Sequence, residues 1–408
     1  MKKVLLSALA AVTLLTSSYT SAPPKVEAGV VDTAKDIITA VTAKFKDVKG
    51  HWAESIIAKA YDLELISGYK DGSFKPNGQI TRAEFAAILS RTTKLPSVTN
   101  SEPFTDLKDH WAGFAVNQLV AQGFINPSDY PNGFNPNTKL TRYEMMKWIS
   151  NGLMNSNDSF KQAFQDTINT FLPTPEAIRR EISADKVPYI ALVRGTGIVG
   201  GFEDGTLKPQ NTTTRAEVSA ILLRYMDVEG KNASAYPELN ELREVGTTGT
   251  NVISLTGYRY TKGNFAEIIN TPVTLENNSA QYKLKKLIVI DARSADLKGV
   301  YSTLFYPKIE NYQKGRYITH SELDFTSLID KPSTLTYSQG LRSTLLTFYR
   351  ISDKEYINSV GIETWPQITT GYFKKNETKT IWITGTVGVK GKYSIENDKG
   401  QIVAFQKD

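Results

Sequence analysis

Two patterns of apolar and polar positions divide the chain near residue 235. Before it, short apolar faces with helical spacing alternate with loops rich in Gly, Pro, Asn and Asp. After it, runs rich in Val, Ile, Thr and Tyr alternate as β-strands do. The pattern therefore predicts an α + β multidomain chain, with a helical N-terminal part and an all-β, sandwich-like domain over residues 241–408.

The strand prediction rests on four segments and one turn. Asn397-Asp398-Lys399-Gly400 lies between two alternating runs and is typical of a hairpin turn. Whether the β-rich region forms one domain or two small ones stays open. The four strand candidates are Val252 to Tyr260, Tyr282 to Ile290, Lys379 to Val389 and Lys392 to Ile395.

The helical part consists of an internal repeat. Its first two copies share Phe-x-Asp, His-Trp-Ala, Phe-x-Pro and Thr-Arg-x-Glu at shifts of 59 to 60 positions. The third copy keeps the back half, Gly201 to Glu217, but its front half has only Phe164-Gln165-Asp166, no His-Trp pair and an insertion through Glu176 to Lys186. One helix-loop-helix unit of this size cannot bury its own apolar face, so we expect three units to share a core.

The Thr-Arg-x-Glu motif predicts how one helix of each copy begins. A threonine at the helix N-cap accepts a hydrogen bond from the N3 amide, and a glutamate three residues on binds the amide of the cap residue. Such a capping box contributes about 1 kcal/mol per helix. The aspartates of the first motif, Asp47 and Asp106, are also predicted to be helix caps or turn residues. The predicted capping boxes are Thr81/Glu84, Thr141/Glu144 and Thr214/Glu217.

Capping does not explain the arginine of the same motif. Arg82, Arg142 and Arg215 each fall at the first helical position, where a cation opposes the helix dipole. Beside free backbone N–H groups, a guanidinium suits a carboxylate or phosphate that takes a bidentate hydrogen bond. Three interpretations stay open: an anion site, pairing with nearby aspartates of the repeats, and simple descent from duplication without a role.

Two tryptophans bear on the same question. Trp52 and Trp111 follow His51 and His110 at corresponding positions of the first two copies. By residue type alone, a tryptophan next to an apolar helix face belongs to the core more often than to a ligand platform. Two histidines in separate copies do not form a ligand cluster, so we expect no metal site.

Phe-x-Asp, His-Trp-Ala, Gly-Tyr-x-Asp-Gly-Ser-Phe-x-Pro and Thr-Arg-Ala-Glu, in this order and spacing, resemble the S-layer homology (SLH) domain in a set of three. The resemblance covers about residues 45–228, close to half of the chain. It implies a helical pseudo-threefold bundle of three SLH repeats. It also implies non-covalent binding of an anionic secondary cell-wall polysaccharide, typically through pyruvylated sugar termini.

The resemblance further implies which residues bind the polysaccharide. In the family, the groove between neighbouring repeats presents the motif arginine to the pyruvate carboxylate, with help from Trp and the Asp-Gly loop. The second copy has Pro131-Asn132-Gly133 in place of Asp-Gly, so the groove that uses this loop and the groove that uses the front of the third copy depart from the pattern. The residues carried over are Arg82, Arg142, Arg215, Trp52, Trp111, Asp71, Gly72, Asp204 and Gly205.

The first residues predict export. Lys2 and Lys3 precede an apolar stretch from Val4 to Leu15, and Val26-Glu27-Ala28 is a small-residue cleavage pattern. An apolar stretch of this length is too short to cross a bilayer, which needs roughly 20 residues. We expect a secreted protein with no membrane span after signal removal, located on the cell wall or S-layer of a Gram-positive bacterium.

The repeats and the changes of composition predict the domain boundaries, and the net charge differs between the two main parts of the chain. The net charge of +6 is unequally distributed, because residues 241–408 carry +5 and residues 29–240 carry −1. If the repeats bind an anionic polymer, they do so through placed arginines and not through a bulk field. The predicted order is a signal peptide (1–28), a lead segment (29–44), repeat one (45–95), repeat two (104–155), a divergent repeat three (164–228), a linker (229–240) and the β-rich domain (241–408).

Composition excludes several kinds of chemistry. The 408 residues include no cysteine and three histidines, so disulfides, thiolate nucleophiles and Cys-ligated metals are absent. No cofactor is expected, because the spelling Gly195-x-Gly197-x-x-Gly200 falls where the repeat predicts a helix end. A secreted chain whose basic runs reach only two residues is not expected to bind nucleic acid.

The favoured function is non-enzymatic anchoring: the repeats hold a β-rich effector or structural module at the wall. The expected partners are the pyruvylated polysaccharide and other S-layer or surface proteins. An SLH-anchored surface hydrolase with its active site in residues 241–408 stays open, since Glu322 and Asp324 could pair in space and His320 is the only histidine there. An adhesin or self-assembly module is the third alternative.

Overall fold

The computed structural model describes residues 28–97, 102–307, 314–330 and 332–408, so the predicted signal peptide lies outside it except for Ala28. The chain divides into two compact units. Unit one contains Met1–Gly152 and Pro209–Glu229, and unit two contains Leu153–Lys208 and Gly230–Asp408. Helices in the N-terminal region and β-sheets in the C-terminal region give the α + β layout that the hydrophobic pattern predicts.

The helices and strands of the described residues are as follows. The α-helices are α1 (Ala28–Lys44), α2 (Glu54–Asp62), α3 (Arg82–Thr92), α4 (Gly113–Ala121), α5 (Arg142–Ser156), α6 (Asp158–Asp166), α7 (Pro175–Ile178), α8 (Val187–Gly195), α9 (Arg215–Val228), α10 (Pro237–Thr248), α11 (Val252–Thr256), α12 (Ser302–Phe305), α13 (Thr334–Ser338) and α14 (Lys354–Ser359). Short 3-10 helices are Thr105–Leu107, Pro127–Asp129, Ala184–Lys186, Ala233–Ala235 and Phe265–Glu267. The strands are β1 (Arg259–Lys262), β2 (Pro272–Thr274), β3 (Ala280–Ala292), β4 (Arg316–Ser327), β5 (Thr378–Val387), β6 (Gly391–Glu396) and β7 (Ile402–Lys407).

In unit one the three Thr-Arg motifs meet in a ring of backbone hydrogen bonds. The residue before each motif threonine is Ile80, Leu140 or Thr213, and all three are fully buried. The N–H of Ile80 donates to the Thr213 carbonyl at 3.0 Å, the N–H of Thr213 to the Leu140 carbonyl at 3.1 Å, and the N–H of Leu140 to the Ile80 carbonyl at 3.0 Å. The three segments thus form a closed ring of backbone hydrogen bonds that requires all three copies.

Apolar side chains of different copies share the core around this ring. Phe85 of α3 stacks on Trp148 of α5, with ring centroids 5.5 Å apart. Phe124, which follows α4, packs edge-on against Tyr225 of α9 at 6.2 Å. Gly152 of α5 makes room for the same phenylalanine, because a Cβ there would lie 2.0 Å from the Phe124 ring. The expectation that no copy buries its apolar face alone is confirmed.

Unit two contains two antiparallel sheets that contribute to one hydrophobic core. The strand orders are β1-β7-β6 and β2-β3-β4-β5. Tyr282 and Phe325 of the larger sheet and Ile395 and Phe405 of the smaller one belong to the same buried cluster. The turn between β6 and β7 also reaches the edge of β2, where Asp398 accepts the N–H of Thr274 at 2.7 Å. The two sheets are therefore parts of one body.

Three of the four predicted strands, Tyr282 to Ile290, Lys379 to Val389 and Lys392 to Ile395, correspond to β3, β5 and β6 and are confirmed. The predicted hairpin turn joins β6 to β7. The pattern missed β4, the long central strand. Residues 317–321 of β4 are buried on both faces and include Thr319, His320 and Ser321, so this half of the strand shows no alternation of apolar and polar residues.

The prediction of a strand over Val252 to Tyr260 is wrong, because Val252–Thr256 is the helix α11. The cause lies outside the segment. The Glu244 carboxylate accepts the N–H groups of Ile253 at 3.0 Å and Ser254 at 2.7 Å, which satisfies the first turn of a helix. Gly257, with φ +73°, then ends the helix, and β1 begins at Arg259.

The second face of the larger sheet is covered by aromatic side chains around His320. This histidine is 0% exposed, and the Phe305 ring stacks on it with centroids 4.1 Å apart. Neither ring nitrogen has a hydrogen-bond partner among the described residues. Burial in this apolar site lowers the pKa of His320 to about 3.

The insertion of the third copy supplies part of the same cover. Phe171 stacks on Tyr301 at 5.9 Å and packs against Trp382 of β5 at 5.7 Å, and the Tyr301 hydroxyl donates to the Phe171 carbonyl at 2.7 Å. Further along, α8 approaches α10 so closely that a Cβ on Gly195 would lie 2.6 Å from the Cα of Leu239. The compact body that holds the sheets therefore includes helices from before residue 241. Within residues 241–408 the helices α11 to α14 accompany the strands, which corrects the all-β expectation. Residues 229–240, expected to be a linker, contain a 3-10 helix and the start of α10.

We predict that unit two loses stability in mild acid because of His320. The folded state holds the pKa near 3 and an unfolded histidine titrates near 6.5, so the stability from the neutral ring is complete above pH 6.5 and falls as the pH drops towards 3. At pH 5 the loss is about 2 kcal/mol. Urea unfolding at pH 7 and pH 5 measures it, and His320→Phe is the variant without the titrating group. The same loss in both proteins would contradict this assignment.

Candidate functional site

Each loop between the two helices of a copy is fixed by a carboxylate from the front of that copy. Asp47 accepts the N–H groups of Phe74 and Lys75, each at 2.8 Å. Asp106 does the same in the second copy for Phe134 at 3.1 Å and the residue after it at 2.7 Å. The two aspartates therefore bind a distant loop, where the sequence suggested a cap or a local turn.

In the third copy this role belongs to a residue of the insertion. The Glu176 carboxylate accepts the N–H groups of Leu207 at 2.8 Å and Lys208 at 2.9 Å. Asp166, which the sequence pattern places in the front motif, forms an ion pair with Arg243 at 2.8 Å instead. The front of the third copy is thus built differently from the fronts of the other two.

The Asp-Gly pairs form tight turns within their loops. Asp71 accepts the N–H of Ser73 at 3.0 Å and its hydroxyl at 2.6 Å, and these bonds hold the pKa of Asp71 below its ordinary value. Equivalent bonds from Thr206 lower the pKa of Asp204 to about 2. The glycines that follow have positive φ, +76° at Gly72 and Gly205 and +91° at Gly133. The Asn132-Gly133 turn of the second copy therefore keeps the backbone shape without the carboxylate.

The Thr-Arg-x-Glu motifs start the three helices with capping boxes. Thr81 accepts the N–H of Glu84 at 3.2 Å, and the Glu84 carboxylate accepts the N–H of Thr81 at 2.8 Å. The corresponding distances are 3.2 and 3.1 Å for Thr141/Glu144 and 3.3 and 2.8 Å for Thr214/Glu217.

Two of the three motif arginines bind the capping glutamate of the next copy. Arg82 donates from Nε to Glu144 at 2.8 Å and from Nη1 to the Phe134 carbonyl at 2.8 Å. Arg142 donates from Nη1 to Glu217 at 2.9 Å, and its side chain is 5% exposed. These arginines therefore join neighbouring copies through glutamates, not through the aspartates that the sequence suggested.

Arg215 has a different environment. Its Nε donates to the Phe74 carbonyl at 2.8 Å and its Nη2 to the Ser67 carbonyl at 2.7 Å, while the guanidinium lies over the Tyr69 ring at 4.8 Å. Among the described residues, no carboxylate forms an ion pair with it, and the Tyr69 side chain is its polar as well as its aromatic neighbour. The capping glutamate of the first copy, Glu84, instead accepts the Tyr69 hydroxyl at 3.3 Å.

Both motif tryptophans lie on the surface, with 58% of Trp52 and 65% of Trp111 exposed. The expectation that they would belong to the core is wrong, because the residue that enters the core is the next one, Ala53 or Ala112, each 0% exposed. Each tryptophan ring lies beside the preceding histidine ring, at 5.6 and 5.5 Å between centroids. Exposed indole rings are platforms for ligands with an apolar face.

We call the surface where the first copy meets the start of α9 the first seam; it comprises Trp52, Tyr69, Lys75, Asn77 and Arg215. The carbonyl of Gly78, the residue after Asn77, accepts the N–H of Arg215 at 2.9 Å, and His51 Nε2 lies 3.1 Å from Asn77 Oδ1. The loop and the front of the first copy are thus joined to the third-copy arginine. Asp71 and Gly72 lie in the same loop.

The second seam, where the second copy meets α3, comprises Tyr130 and Arg82. The guanidinium of Arg82 lies 5.0 Å from the centroid of the Tyr130 ring. Its backbone N–H donates to the Thr138 carbonyl of the second copy at 2.9 Å. Arg142 has no tryptophan counterpart in the third copy, and the turn at Asp204 and Gly205 lies in unit two.

Sequence reasoning missed the two tyrosines on which the arginines lie and the loop-binding Glu176. Tyr69 belongs to the Gly-Tyr-x-Asp-Gly-Ser-Phe-x-Pro motif. The second tyrosine in the equivalent loop, Tyr130, was the signal that could have identified both residues. Within the described ranges no group of His, Asp and Glu has the arrangement of a metal site. In the same ranges no helix is long and apolar enough to span a bilayer.

We predict that Arg142→Ala lowers the free energy of unfolding by about 3 kcal/mol, because it removes one partner of a mostly buried ion pair between copies. The exposed pair of Lys161 with Asp158 offers the control, and Lys161→Ala is expected to change stability by less than about 0.5 kcal/mol. Urea unfolding followed by tryptophan fluorescence measures both. Equal effects of the two substitutions would show that Arg142 does not hold the copies together.

Comparisons with known proteins also find three repeated domains in this part of the chain. Residues 44–86, 103–146 and 180–219 each match the family model of the S-layer homology domain. Cell surface glycoprotein 1 of Acetivibrio thermocellus is 30% identical over 183 residues, 43% of this chain and 8% of that protein. A cellulosome-anchoring protein of the same species is 36% identical over 116 residues, 27% of this chain and 26% of the relative.

A third relative shares a longer stretch. An uncharacterized cell wall amidase of Bacillus anthracis is 25% identical over 304 residues, 70% of this chain and 55% of the relative. The chain spans less than two thirds of the length of each of the three relatives. The repeated motifs, the geometry that they build and the three family matches have one explanation. Three S-layer homology domains lie between residues 44 and 219 of the chain.

Proposed function

We propose that the three SLH domains anchor this protein non-covalently to the cell wall of a Gram-positive bacterium by binding a pyruvylated secondary cell-wall polysaccharide. SLH domains belong to cell-surface proteins, which supports the location at the wall. The cellulosome-anchoring relative supports an anchoring role. The finer parts of the proposal, the pseudo-threefold bundle and the nature of the ligand, rest on the geometry of unit one.

The pseudo-threefold arrangement of the bundle is supported by how each motif arginine binds the following copy. The backbone N–H of Arg82 donates to the Thr138 carbonyl, that of Arg142 to the Asn211 carbonyl, and that of Arg215 to the Gly78 carbonyl, at 2.8 to 2.9 Å. The third of these bonds returns to the first copy, as the buried ring at Ile80 does. Contacts that repeat and close after three copies are those of a threefold arrangement.

The observation that carries the ligand proposal is an excess of positive charge at the first seam. The guanidinium of Arg215 is largely buried without a carboxylate, and burying an unpaired charge is costly. Lys75 adds a second cation on the same tyrosine, with Nζ 4.3 Å from the Tyr69 ring centroid. Among the described residues no carboxylate lies within ion-pair distance of this lysine, and Asp71 interacts with it only at longer range. A carboxylate supplied by a ligand compensates both cations.

The other two positions lack this excess. In the second copy Asn135 stands in place of Lys75, and the charge of Arg82 is matched by Glu144. In the third copy the equivalent Lys208 pairs with Asp204 at 3.0 Å. The same motif thus has three electrostatic environments, and the first seam is the one that favours an anion.

The exposed indole of Trp52 completes the proposed site. A pyruvylated sugar has a carboxylate at one place and an apolar ring face at another. The first seam offers cations for the carboxylate and an indole for the ring face. Residues 29–240 together carry a net charge of only −1, which agrees with recognition by a few placed cations and not by a bulk positive field.

We predict that Lys75→Asn, which installs the residue of the second copy, weakens binding to purified Gram-positive cell walls about tenfold, as expected from loss of a charged contact. The side chain is exposed and its left-handed backbone suits asparagine, so folding is expected to be unaffected. Arg215→Gln is expected to abolish binding. Lys161→Asn, at an exposed pair remote in sequence from the seam, is the control. Sedimentation with native walls and with walls stripped of polysaccharide measures all three.

Equal sedimentation with stripped and native walls would overturn the proposal. Unchanged binding by Lys75→Asn, with loss only in Arg215→Gln, would shift the site away from the first seam, because the buried arginine is also structural.

For residues 241–408 we propose a displayed structural or effector module without catalysis. Two of the candidate catalytic carboxylates are engaged by lysines, Glu322 by Lys286 and Asp324 by Lys285 at 3.3 Å. His320 is buried between the strand and aromatic rings. The amidase relative favours the alternative, a surface hydrolase, because its matched stretch covers 70% of this chain.

We predict that the mature chain releases neither reducing sugar nor free amine from purified cell walls. The assay includes Glu322→Gln, whose lysine partner remains in place. Release of sugar or amine by the wild type but not by Glu322→Gln would contradict the non-catalytic role and support the surface hydrolase.

A further inference from the structure

A concave surface lies on the front of the second SLH domain, and neither Arg82 nor Arg142 is among its lining residues. It is a cavity of about 620 Å³ between the 3-10 helix Thr105–Leu107 and the helix α4. His110, Phe114, Asn117 and Gln118 are among the side chains that line it. A cavity of this size with mixed apolar and polar walls is typical of a small-ligand site.

The cavity exists because of residues that differ between the first and second domains. In the first domain the Glu54 carboxylate accepts the N–H of Gly50 at 2.8 Å and so covers the turn before α2. The second domain has Gly113 at that position, 59 residues later, and so lacks this carboxylate. The helix begins so close to the turn that a Cβ on Gly113 would lie 2.9 Å from the Leu107 carbonyl oxygen.

The residues that face this space also differ. Phe114, Asn117 and Gln118 stand where the first domain has Ser55, Ala58 and Lys59. Phe114 is 67% exposed although it is a large apolar side chain. The two carboxamides supply both donors and acceptors, and the Gln118 amide is held in place by Ser97 at 3.3 Å.

This combination is the chemistry of sugar recognition. The apolar face of a sugar ring packs on an aromatic ring, and its hydroxyls need partners that both donate and accept. Among the described residues no arginine lines the cavity, and its charged residues, Lys108, Glu102 and Asp109, sum to −1. The cavity therefore disfavours an anionic ligand, unlike the first seam, and its carboxamides suit the hydroxyls of an uncharged one.

We propose that this cavity is a second saccharide subsite, which binds an uncharged sugar unit of the wall polysaccharide while the first seam binds the acidic terminus of a chain. The proposal rests on the proposed function, since it assigns the same polymer to both places. The ring of His110 lines the cavity and lies 5.5 Å from the exposed indole of Trp111, so an aromatic surface continues from the cavity onto the domain face. A polymer thus contacts the protein at two places, and a short terminal fragment contacts it at one.

The test compares two probes on the full mature chain by calorimetric titration: the purified polysaccharide polymer and its pyruvylated terminal disaccharide. The variant is Phe114→Ser with Asn117→Ala, which installs the first-domain residues at both positions. We expect the polymer affinity to fall about fivefold and the disaccharide affinity to stay unchanged. Tyr349→Ser is the matched control, since Tyr349 is 66% exposed in the other unit, and it is expected to change neither affinity.

Each outcome decides. Unchanged polymer affinity in the double variant, with Lys75→Asn still weakening it, leaves the anchoring function standing and overturns the subsite. Equal losses for both probes also overturn it, because the residues would then act on the first seam. If the wild type binds neither probe, both proposals fail. Thermal melting of each variant shows that a loss of affinity is not a loss of folding, and the exposure of Phe114 predicts an unchanged midpoint.

Discussion

The structure of unit one depends on the closed ring of backbone hydrogen bonds among Ile80, Leu140 and Thr213. All three residues are fully buried, so a broken bond would leave a donor and an acceptor without water to replace the partner. Each bond joins a different pair of copies. The ring therefore fixes where each Thr-Arg motif begins its helix, and with it which neighbouring loop each arginine meets.

From this constraint follows the difference among three arginines that share one motif. Arg142 meets a capping glutamate of the next copy, and Arg215 meets two carbonyls and an aromatic ring. The hydrogen-bond and charge environment of each motif arginine is thus set by residues of the neighbouring copy and not by the motif itself. The same cation occurs three times, and the neighbouring copies leave Arg215 without a carboxylate in an ion pair among the described residues.

The sequence predicted those features whose cause is local. Thr81 and Glu84 lie three residues apart, so their capping box needs no information from elsewhere. The turn at Asp71 and Gly72 is local in the same sense. The number of copies, the confirmed strands and the β6–β7 hairpin were likewise visible in spacing and alternation.

The rest depended on residues far away in the chain. The partners of Arg215 are contributed by Ser67 and Phe74, which precede it by more than 140 positions. The helix α11 replaced a predicted strand because Glu244 caps it from outside the segment. For Trp52, a shift of one position between the exposed and buried residue decided the outcome, and periodicity does not resolve such a shift.

Binding at the first seam is tested most directly by a nuclear magnetic resonance titration of the mature chain with the pyruvylated wall disaccharide, observed at the arginine Nε–H and tryptophan indole signals. We predict that the signals of Arg215 and Trp52 shift while that of Arg142 stays in place; shifts at Arg142 without shifts at Arg215 would contradict binding at the first seam.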